Sequence, residues 1–501
     1  MNKMEAILRP DGEKSNTKKT VALSLATMFN SVLSLVMSMA LARVLTKGDL
    51  AAYQQTSMVL TTAFPFLQMG IPQGIFYVLS RNKGRERAVI NEAMFCVSAA
   101  GALFAAFLIL GGNNLFAGWF KNAEISTYLL YIIPTLIFQL LTTVCGTVMV
   151  YVNRVSFHAK FQVFTSLFRI AITILTIILL RTVLRTLQVS MVMQVITGLA
   201  TFLIVYLYLV PHDDGRMRLD SIGKLLKISI PLGVAGMIVT LNSFLDKWVV
   251  SFMCSPEDYA VFTAGAHEVP LITAITNSVM TVIIVSLTEA FRDEDHPKAL
   301  GIINGAAKKT SLFLMPIMML CLALAKPLVC FIFTDEYAGA VNIFIVYLLY
   351  MPYWTIYYGP IMTAMGKPKA VMYCALAGLV CNGAISVFCV KLFGMIGASI
   401  ATIATIYLVN LPLNLGVICK KINVKWTQLL PVKHYGICIL LSVPGAAVSF
   451  AISMLTEGMG YFWQLAFGGI AFVAVTAPIF IKHFELPWKD YVKKFAAKFS
   501  H

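Results

Sequence analysis

Charge is what this sequence has least of. Of 501 residues only 12% are Asp, Glu, Lys or Arg, against roughly 25% in an ordinary soluble domain, and 59% are hydrophobic. So little charge cannot cover a water-facing surface, which excludes a soluble globular fold and leaves a membrane protein. Acid is the scarcer sign, with 23 Asp and Glu beside 39 Lys and Arg. The ten cysteines include no Cys-X-X-Cys pair and no histidine at ligand spacing, so they read as reduced packing residues without metal or redox work. A glycine-rich phosphate loop is missing too, which removes ATP hydrolysis as an energy source. Nor is a cleavable leader expected: the first twenty residues are polar and basic, and the apolar run behind them is too long for a signal segment. The N-terminus is therefore expected to stay on the side where it was made.

What the sequence has in quantity is apolar runs. Fourteen of them, between residues 21 and 481, are long enough to cross about 30 Å of hydrocarbon. Two, at 52–79 and 260–288, are long enough to require tilt or kinks, expected at Pro65, Pro72 and Pro270. Fourteen crossings put both termini on one side. On that count Arg43, Lys47, Lys121, Arg181, Arg185 and Lys391 fall on the opposite side and Arg169, Lys247 and Lys326 inside spans, which leaves 30 of the 39 basic residues beside the termini. Such an excess marks the cytoplasmic face. It also accounts for the net charge of +16 as basic loops against an anionic leaflet, with no nucleic-acid partner.

A repeat organises the runs. After the first, the chain reads "LTKGDLAAYQQ"; after the seventh, "MCSPEDYAVFTAG", so that Asp49 and Tyr53 align with Asp258 and Phe262 at an offset of 209. Basic loops follow both, and "GTVMVYVNRVS" from Gly146 matches "GPIMTAMGKPK" from Gly359 at an offset of 213. Six crossings return the chain to its starting side, so the copies share one membrane orientation. The expected fold is all-α and integral to the membrane, with about fourteen transmembrane helices: two parallel six-helix repeats form two lobes around a central cavity, with two C-terminal helices added. The expected segments are a cytoplasmic N-terminus (1–20), a first lobe (21–211), an inter-lobe linker (212–227), a second lobe (228–420), the two added helices (421–482) and a basic tail (483–501).

Polar residues on helical faces point to function. In the first run Thr20, Ser24, Thr27, Ser31, Ser34 and Ser38 recur at helical steps with Asn30 beside them. That stripe reads equally as a close-packing seam and as cavity lining. In the fifth run Gln162, Thr165, Arg169, Thr173 and Thr176 share a face about 80° wide at 100° per residue, and the opposite face is Ile, Leu, Val and Phe. Arg169 lies about 14 Å along the axis from Lys160 and about 18 Å from Arg181, near the midplane and beyond easy snorkelling reach. At that depth its charge costs about 2.5 to 3.5 kcal/mol unless a wet cavity receives it. A fixed guanidinium favours phosphate or carboxylate over cations. Asp246, Lys247, His267 and Glu268 are candidates for coupling to a proton or sodium gradient, with a Lys247–Glu268 structural ion pair as the competing reading.

"LARVLTKGDLAAYQQ" at 41–55, "GIPQGIFYVLSR" at 70–81, "FLDKWVVSFM" at 244–253, "KPLVCFIFTDEYAGA" at 326–340 and "MGKPKA" at 365–370 together resemble the polysaccharide (O-antigen type) flippases of the multidrug/oligosaccharidyl-lipid/polysaccharide exporter superfamily. The resemblance covers nearly the whole chain in order. It implies export of undecaprenyl-pyrophosphate-linked oligosaccharide across a bacterial cytoplasmic membrane by alternating access, by a monomer without cofactor. A polysaccharide polymerase and other assembly proteins are the implied partners besides membrane lipids. On this reading Arg169, Gln162, Thr165, Thr173, Asn30, Ser34 and Arg154 face the cargo. Two relatives compete. Peptidoglycan lipid-precursor flippases carry an arginine-rich first helix, whereas the first run here holds no charge before Arg43; multidrug antiporters have acidic cavities. A membrane glycan polymerase or ligase would need a substantial external loop, and every external connection here is short, so the protein is expected not to be an enzyme.

Overall fold

The computed structural model describes residues 16–210, 215–267 and 270–485. Among them there is no strand. The α-helices in chain order are α1 (Asn16–Val44), α2 (Lys47–Gln68), α3 (Ile71–Arg81), α4 (Glu86–Phe107), α5 (Asn113–Trp119), α6 (Glu124–Tyr131), α7 (Ile133–Tyr151), α8 (Val155–Leu180), α9 (Val183–Ile204), α10 (Leu219–Met253) and α11 (Pro256–Gly265). They continue with α12 (Pro270–Arg292), α13 (His296–Ala323), α14 (Ala325–Phe333), α15 (Ala340–Leu348), α16 (Tyr358–Ala364), α17 (Pro368–Phe393), α18 (Met395–Thr405), α19 (Leu411–Ile422), α20 (Trp426–Leu429), α21 (Val432–Leu455) and α22 (Tyr461–Phe484).

Eleven of the fourteen apolar runs form helices long and apolar enough to cross a membrane, and a twelfth, α15 with the segment Tyr353–Ala364, is bent by 46°. The other two runs are 52–79 and 260–288, and both are broken. The expected kinks at Pro65 and Pro72 are not where the first of them breaks. Pro65 sits within α2; the chain turns at Met69 (φ 49°) and Gly70 (φ 68°), and Pro72 falls in the first turn of α3, where its missing N–H costs nothing. Pro270 opens α12. Left-handed backbone at a glycine stops a helix more sharply than a proline bends one.

Contacts group the chain into two compact units, residues 1–263 with 375–402, and 264–374 with 403–501. The repeat is a statement about chain order; the contact grouping assigns α10 to the first unit, because α10 lies along α2 and α3. Hydrogen bonds join the far part of α10 and α11 to α2. Gln55 Nε2 donates to Ser251 Oγ at 2.7 Å with both residues buried, Trp248 Nε1 donates to Thr62 Oγ1 at 3.1 Å, and Thr263 Oγ1 donates to Gln54 Oε1. Near α3 the approach is backbone to backbone: a Cβ on Gly70 would fall 2.1 Å from the Ser229 carbonyl oxygen, and one on Gly233 would fall 2.6 Å from the Gly70 nitrogen. Lipid tails are as apolar as leucine, so small residues that admit such contact replace hydrophobic drive in joining membrane helices.

The core of this unit is Ile71, Ile75 and Leu79 of α3 against Val89, Ala93 and Val97 of α4 and Leu136, Leu140 and Val148 of α7. Outward, Leu103, Leu110, Phe164 and Leu179 are more than half exposed, as residues facing hydrocarbon should be. At the start of α4 the fully buried Glu92 holds the chain entering α10. Its Oε1 accepts from Arg218 N at 3.1 Å and lies 3.6 Å from Arg85 Nη2, while Asn91 Nδ2 donates to Gly215 O at 3.1 Å. A paired, hydrogen-bonded carboxylate is the form in which a buried charge is tolerable.

The second unit centres on Leu287, Ala290, Ile303, Ala307, Ile361, Ile418 and Leu429. Buried hydroxyls tie it across the chain: Thr355 Oγ1 and Tyr435 OH are 2.7 Å apart, and Asn414 Nδ2 donates to Tyr353 OH at 2.9 Å. The added helices α21 and α22 pair closely, α21 against α13 and α22 against α14.

Candidate substrate cavity

Helix α8 carries Arg169 in its middle. The three- and four-residue steps that place Gln162, Thr165, Thr173 and Thr176 on Arg169's face leave Phe164, Leu167, Phe168, Leu175 and Ile178 exposed on the other side. The threonine hydroxyls of that face turn back on their own helix, Thr165 Oγ1 to Phe161 O at 2.9 Å, Thr173 Oγ1 to Arg169 O at 2.8 Å and Thr176 Oγ1 to Ile172 O at 2.8 Å. Their donors are thereby satisfied in a low-dielectric setting, and their oxygens can still accept.

Two cavities meet at Arg169, both within the first unit. One, of about 350 Å³, is lined by Asn30 and Ser34 of α1, Tyr53, Ser57 and Thr61 of α2, Gln139 of α7, Ser166, Arg169 and Thr173 of α8, and Ser190 and Gln194 of α9, among others. The other, of about 500 Å³, is lined by Gln139, Thr143 and Thr147 of α7, His158, Gln162, Thr165 and Arg169 of α8, and Gln194, Thr197 and Thr201 of α9. Gln139, Ser166, Arg169 and Gln194 border both. Each volume lies in the range of small-ligand sites.

Among the described residues, none of those lining the cavities is acidic. Arg169 is half-buried, and its Nη1 donates to the Oε1 of Gln194 at 2.7 Å, where Gln194 is itself only 5% exposed. A neutral amide aims the guanidinium without cancelling its charge. The walls therefore combine one fixed cation with many neutral donors and acceptors, an arrangement that attracts an anion and can hydrogen-bond several hydroxyls beside it. Asn30 Oδ1 is buried with no hydrogen-bond partner among the described residues, an acceptor left for something in the cavity. Replacing Gln194 by Leu removes the atom that orients Arg169. Binding of inorganic pyrophosphate by Gln194→Leu is expected to weaken about tenfold, roughly the 1.5 kcal/mol a charged group loses with one hydrogen bond, with the amount of membrane-inserted protein unchanged. Binding equal to wild type would show that the amide does not position the guanidinium.

Over residues 40–342 the sequence matches the family model described as "Polysaccharide biosynthesis protein". The chain belongs to the polysaccharide biosynthesis protein family. A search of curated proteins finds no match for this family member. Among solved structures its fold is similar to that of the lipid II flippase MurJ in an inward closed conformation, at 16% identity over 93% of this chain and 100% of that one, with a TM-score of 0.72. It is similar also to an inward-facing multidrug resistance MATE family transporter of the MOP superfamily, at 13% identity over 80% and 98%, TM-score 0.61. A third likeness is to a MOP superfamily transporter from Pyrococcus furiosus described as having a binding pocket of reverse polarity, at 14% identity over 84% and 98%, TM-score 0.58. The family is that of polysaccharide biosynthesis proteins, and the fold is shared with these membrane flippases and transporters.

Within this family member, Arg169, Gln162, Thr165, Thr173, Asn30 and Ser34 come together around the paired cavities. Arg154 does not: it is the residue just before α8, half-buried, and lines neither cavity. Of the first-run stripe, Ser31 Oγ and Ser38 Oγ bond back to Thr27 O and Ser34 O of their own helix. The coupling candidates divide between the two units. Asp246 is buried in α10 of the first unit, its Oδ1 accepting from Lys247 N at 2.7 Å, and Lys247 Nζ stands 5.0 Å from the centroid of the Phe244 ring. His267 belongs to the second unit, with its ring edge-on to Phe333 at 5.9 Å, and Glu268 lies outside the described residues. Sequence reasoning missed Gln194, Ser190, Gln139 and His158. The signal was present: Ser190, Gln194, Thr197 and Thr201 step by four, three and four along α9, and Thr135, Gln139, Thr143 and Thr147 step by four along α7.

Proposed function

We propose that this protein flips undecaprenyl-pyrophosphate-linked oligosaccharide across the bacterial cytoplasmic membrane by alternating access, with both termini cytoplasmic. The single observation that carries the reading is Arg169, among the described residues the one guanidinium bordering two cavities whose described walls hold hydroxyls and amides but no carboxylate. A pyrophosphate head matches the guanidinium through paired charge-assisted hydrogen bonds, and sugar hydroxyls match the neutral wall. Asn30, Ser34, Gln162, Thr165 and Thr173 contact the sugars, and the prenyl chain stays in lipid. Membership of the polysaccharide biosynthesis family supports the same cargo class.

A peptidoglycan lipid precursor bears the same pyrophosphate and is the second reading, favoured by the fold likeness to MurJ. An antiporter for cationic drugs fits poorly, because a cavity with one cation and no acid repels that cargo. Asp246, Lys247, His267 and Glu268 are proposed to couple transport to a proton or sodium gradient, and a polysaccharide polymerase is the proposed consumer of the exported units.

Proteoliposomes test the assignment. Protein reconstituted with fluorescent undecaprenyl-pyrophosphate oligosaccharide is expected to expose the sugar on the far leaflet faster than empty vesicles do, and to leave a lipophilic cation where it was. Transport of the lipid precursor of peptidoglycan in place of the oligosaccharide would move the assignment to the second reading.

A further inference from the structure

Away from these cavities, the second unit carries an apolar groove of about 570 Å³ that transport chemistry does not use. One wall is the flank of α19, with Leu411, Leu415 and Gly416; the other is the turn into α20, with Val424 and Trp426, and Lys425 stands at the rim. No acidic residue lines it. The groove is built rather than incidental. Asn423 in left-handed backbone (φ 53°) ends α19, Gln428 Oε1 accepts from Lys425 N at 3.1 Å to start α20, and Asn304 Nδ2 of α13 donates to the carbonyls of Gln428 at 3.0 Å and Leu429 at 3.3 Å. Two helix caps and one asparagine thus hold the second wall open against the first.

Its setting says what fills it. The groove begins where the apolar helix ends and a basic turn follows: Lys420 and Lys421 close α19, Lys425 is exposed, and Trp426 is 55% exposed. Tryptophan beside lysine at the end of an apolar segment is the arrangement found at headgroup level. Three cations within six positions attract an anion there, each worth about 1 kcal/mol near an acidic surface. A free phosphate would leave the apolar walls unused, and a peptide strand would find almost no polar atom along them to pair its backbone. One molecule presents an anion and a hydrocarbon chain together.

We propose that this groove binds one acidic diacyl phospholipid of the surrounding bilayer, an acyl chain lying against Leu411, Leu415 and Val424 and the phosphate on Lys425. The site is separate from the cargo cavities in its residues and in its unit, so it stands whether or not the proposed cargo is right.

The test uses the full-length purified chain. After exchange into detergent with equal phosphatidylglycerol and phosphatidylcholine, native mass spectrometry is expected to find one phosphatidylglycerol retained per chain, and its unfolding temperature to rise with phosphatidylglycerol alone. Lys425→Glu is expected to lower that retention on the order of tenfold, from the reversal of one charge near the headgroup. Gly416→Phe occupies the groove, since a Cβ there meets nothing within 4 Å, and is expected to lower it as much while the protein folds normally. Equal retention of the two lipids, or phosphatidylglycerol retained undiminished by both variants, would overturn the proposal. So would a lipid-free dimer in which a second copy fills the groove.

Discussion

Arg169→Ala is expected to abolish complementation of a flippase-deficient strain while the protein still inserts and folds. Because the cavities receive the guanidinium, its removal relieves little burial cost and takes from Gln194 Oε1 one hydrogen bond, so the variant should melt within about 1 to 3 kcal/mol of wild type. The same substitution deletes the only arginine bordering the paired cavities. Two charge-assisted hydrogen bonds to a pyrophosphate at about 1.5 to 3 kcal/mol each correspond to a loss on the order of a hundredfold or more. Export is therefore lost while stability changes little, which no purely structural role for Arg169 would produce. Arg169→Lys keeps the charge and loses the planar fork, and should retain part of the activity. Unimpaired export by Arg169→Ala, measured as surface polysaccharide at equal protein level, would sink the assignment.

The largest loss of stability is expected where α10 crosses the break between α2 and α3. Gly70→Ala places a Cβ 2.1 Å from the Ser229 carbonyl oxygen, and the position also sits at φ 68°, where an L side chain is strained. Backbone cannot swing aside as a side chain can. Overpacking at about 1 to 3 kcal/mol and left-handed backbone at about 1 to 2 kcal/mol add to ~3 kcal/mol or more. Gly233→Ala meets the Gly70 nitrogen at 2.6 Å and should behave alike, without the backbone strain. Gly236→Ala, one turn along α10 with open space around its Cβ, is the internal control and should fall within about 0.5 kcal/mol of wild type. Thermal unfolding of the purified protein reads all three. If Gly70→Ala melts with Gly236→Ala, the two helices do not need backbone contact to pack.

Glycine rather than proline decided the shape of the first long run, and the reason is instructive. Pro65 passes through α2 and Pro72 sits in the first turn of α3, where neither sharply bends the chain, whereas Gly70 is both the turn and the crossing point. From the sequence a glycine between two prolines is one breaker among three. Only the presence of α10 across it, more than 150 residues further along the chain, makes its missing side chain indispensable.

The sequence by itself determined that the protein is helical and membrane-embedded, that its polar residues lie in stripes, and that Arg169 faces the same way as Gln162, Thr165 and Thr173. These are properties of neighbours three and four residues apart, and a helix fixes them wherever it goes. Tertiary structure decided what each stripe faces: that Gln194 of α9 receives Arg169, that α1, α2 and α7 supply the remaining polar wall, that Arg154 stays outside it, and that two apolar runs break. Those outcomes depend on how each helix is rotated against its neighbours, and that rotation is set by close contacts between small residues far apart in the chain, which local periodicity does not encode.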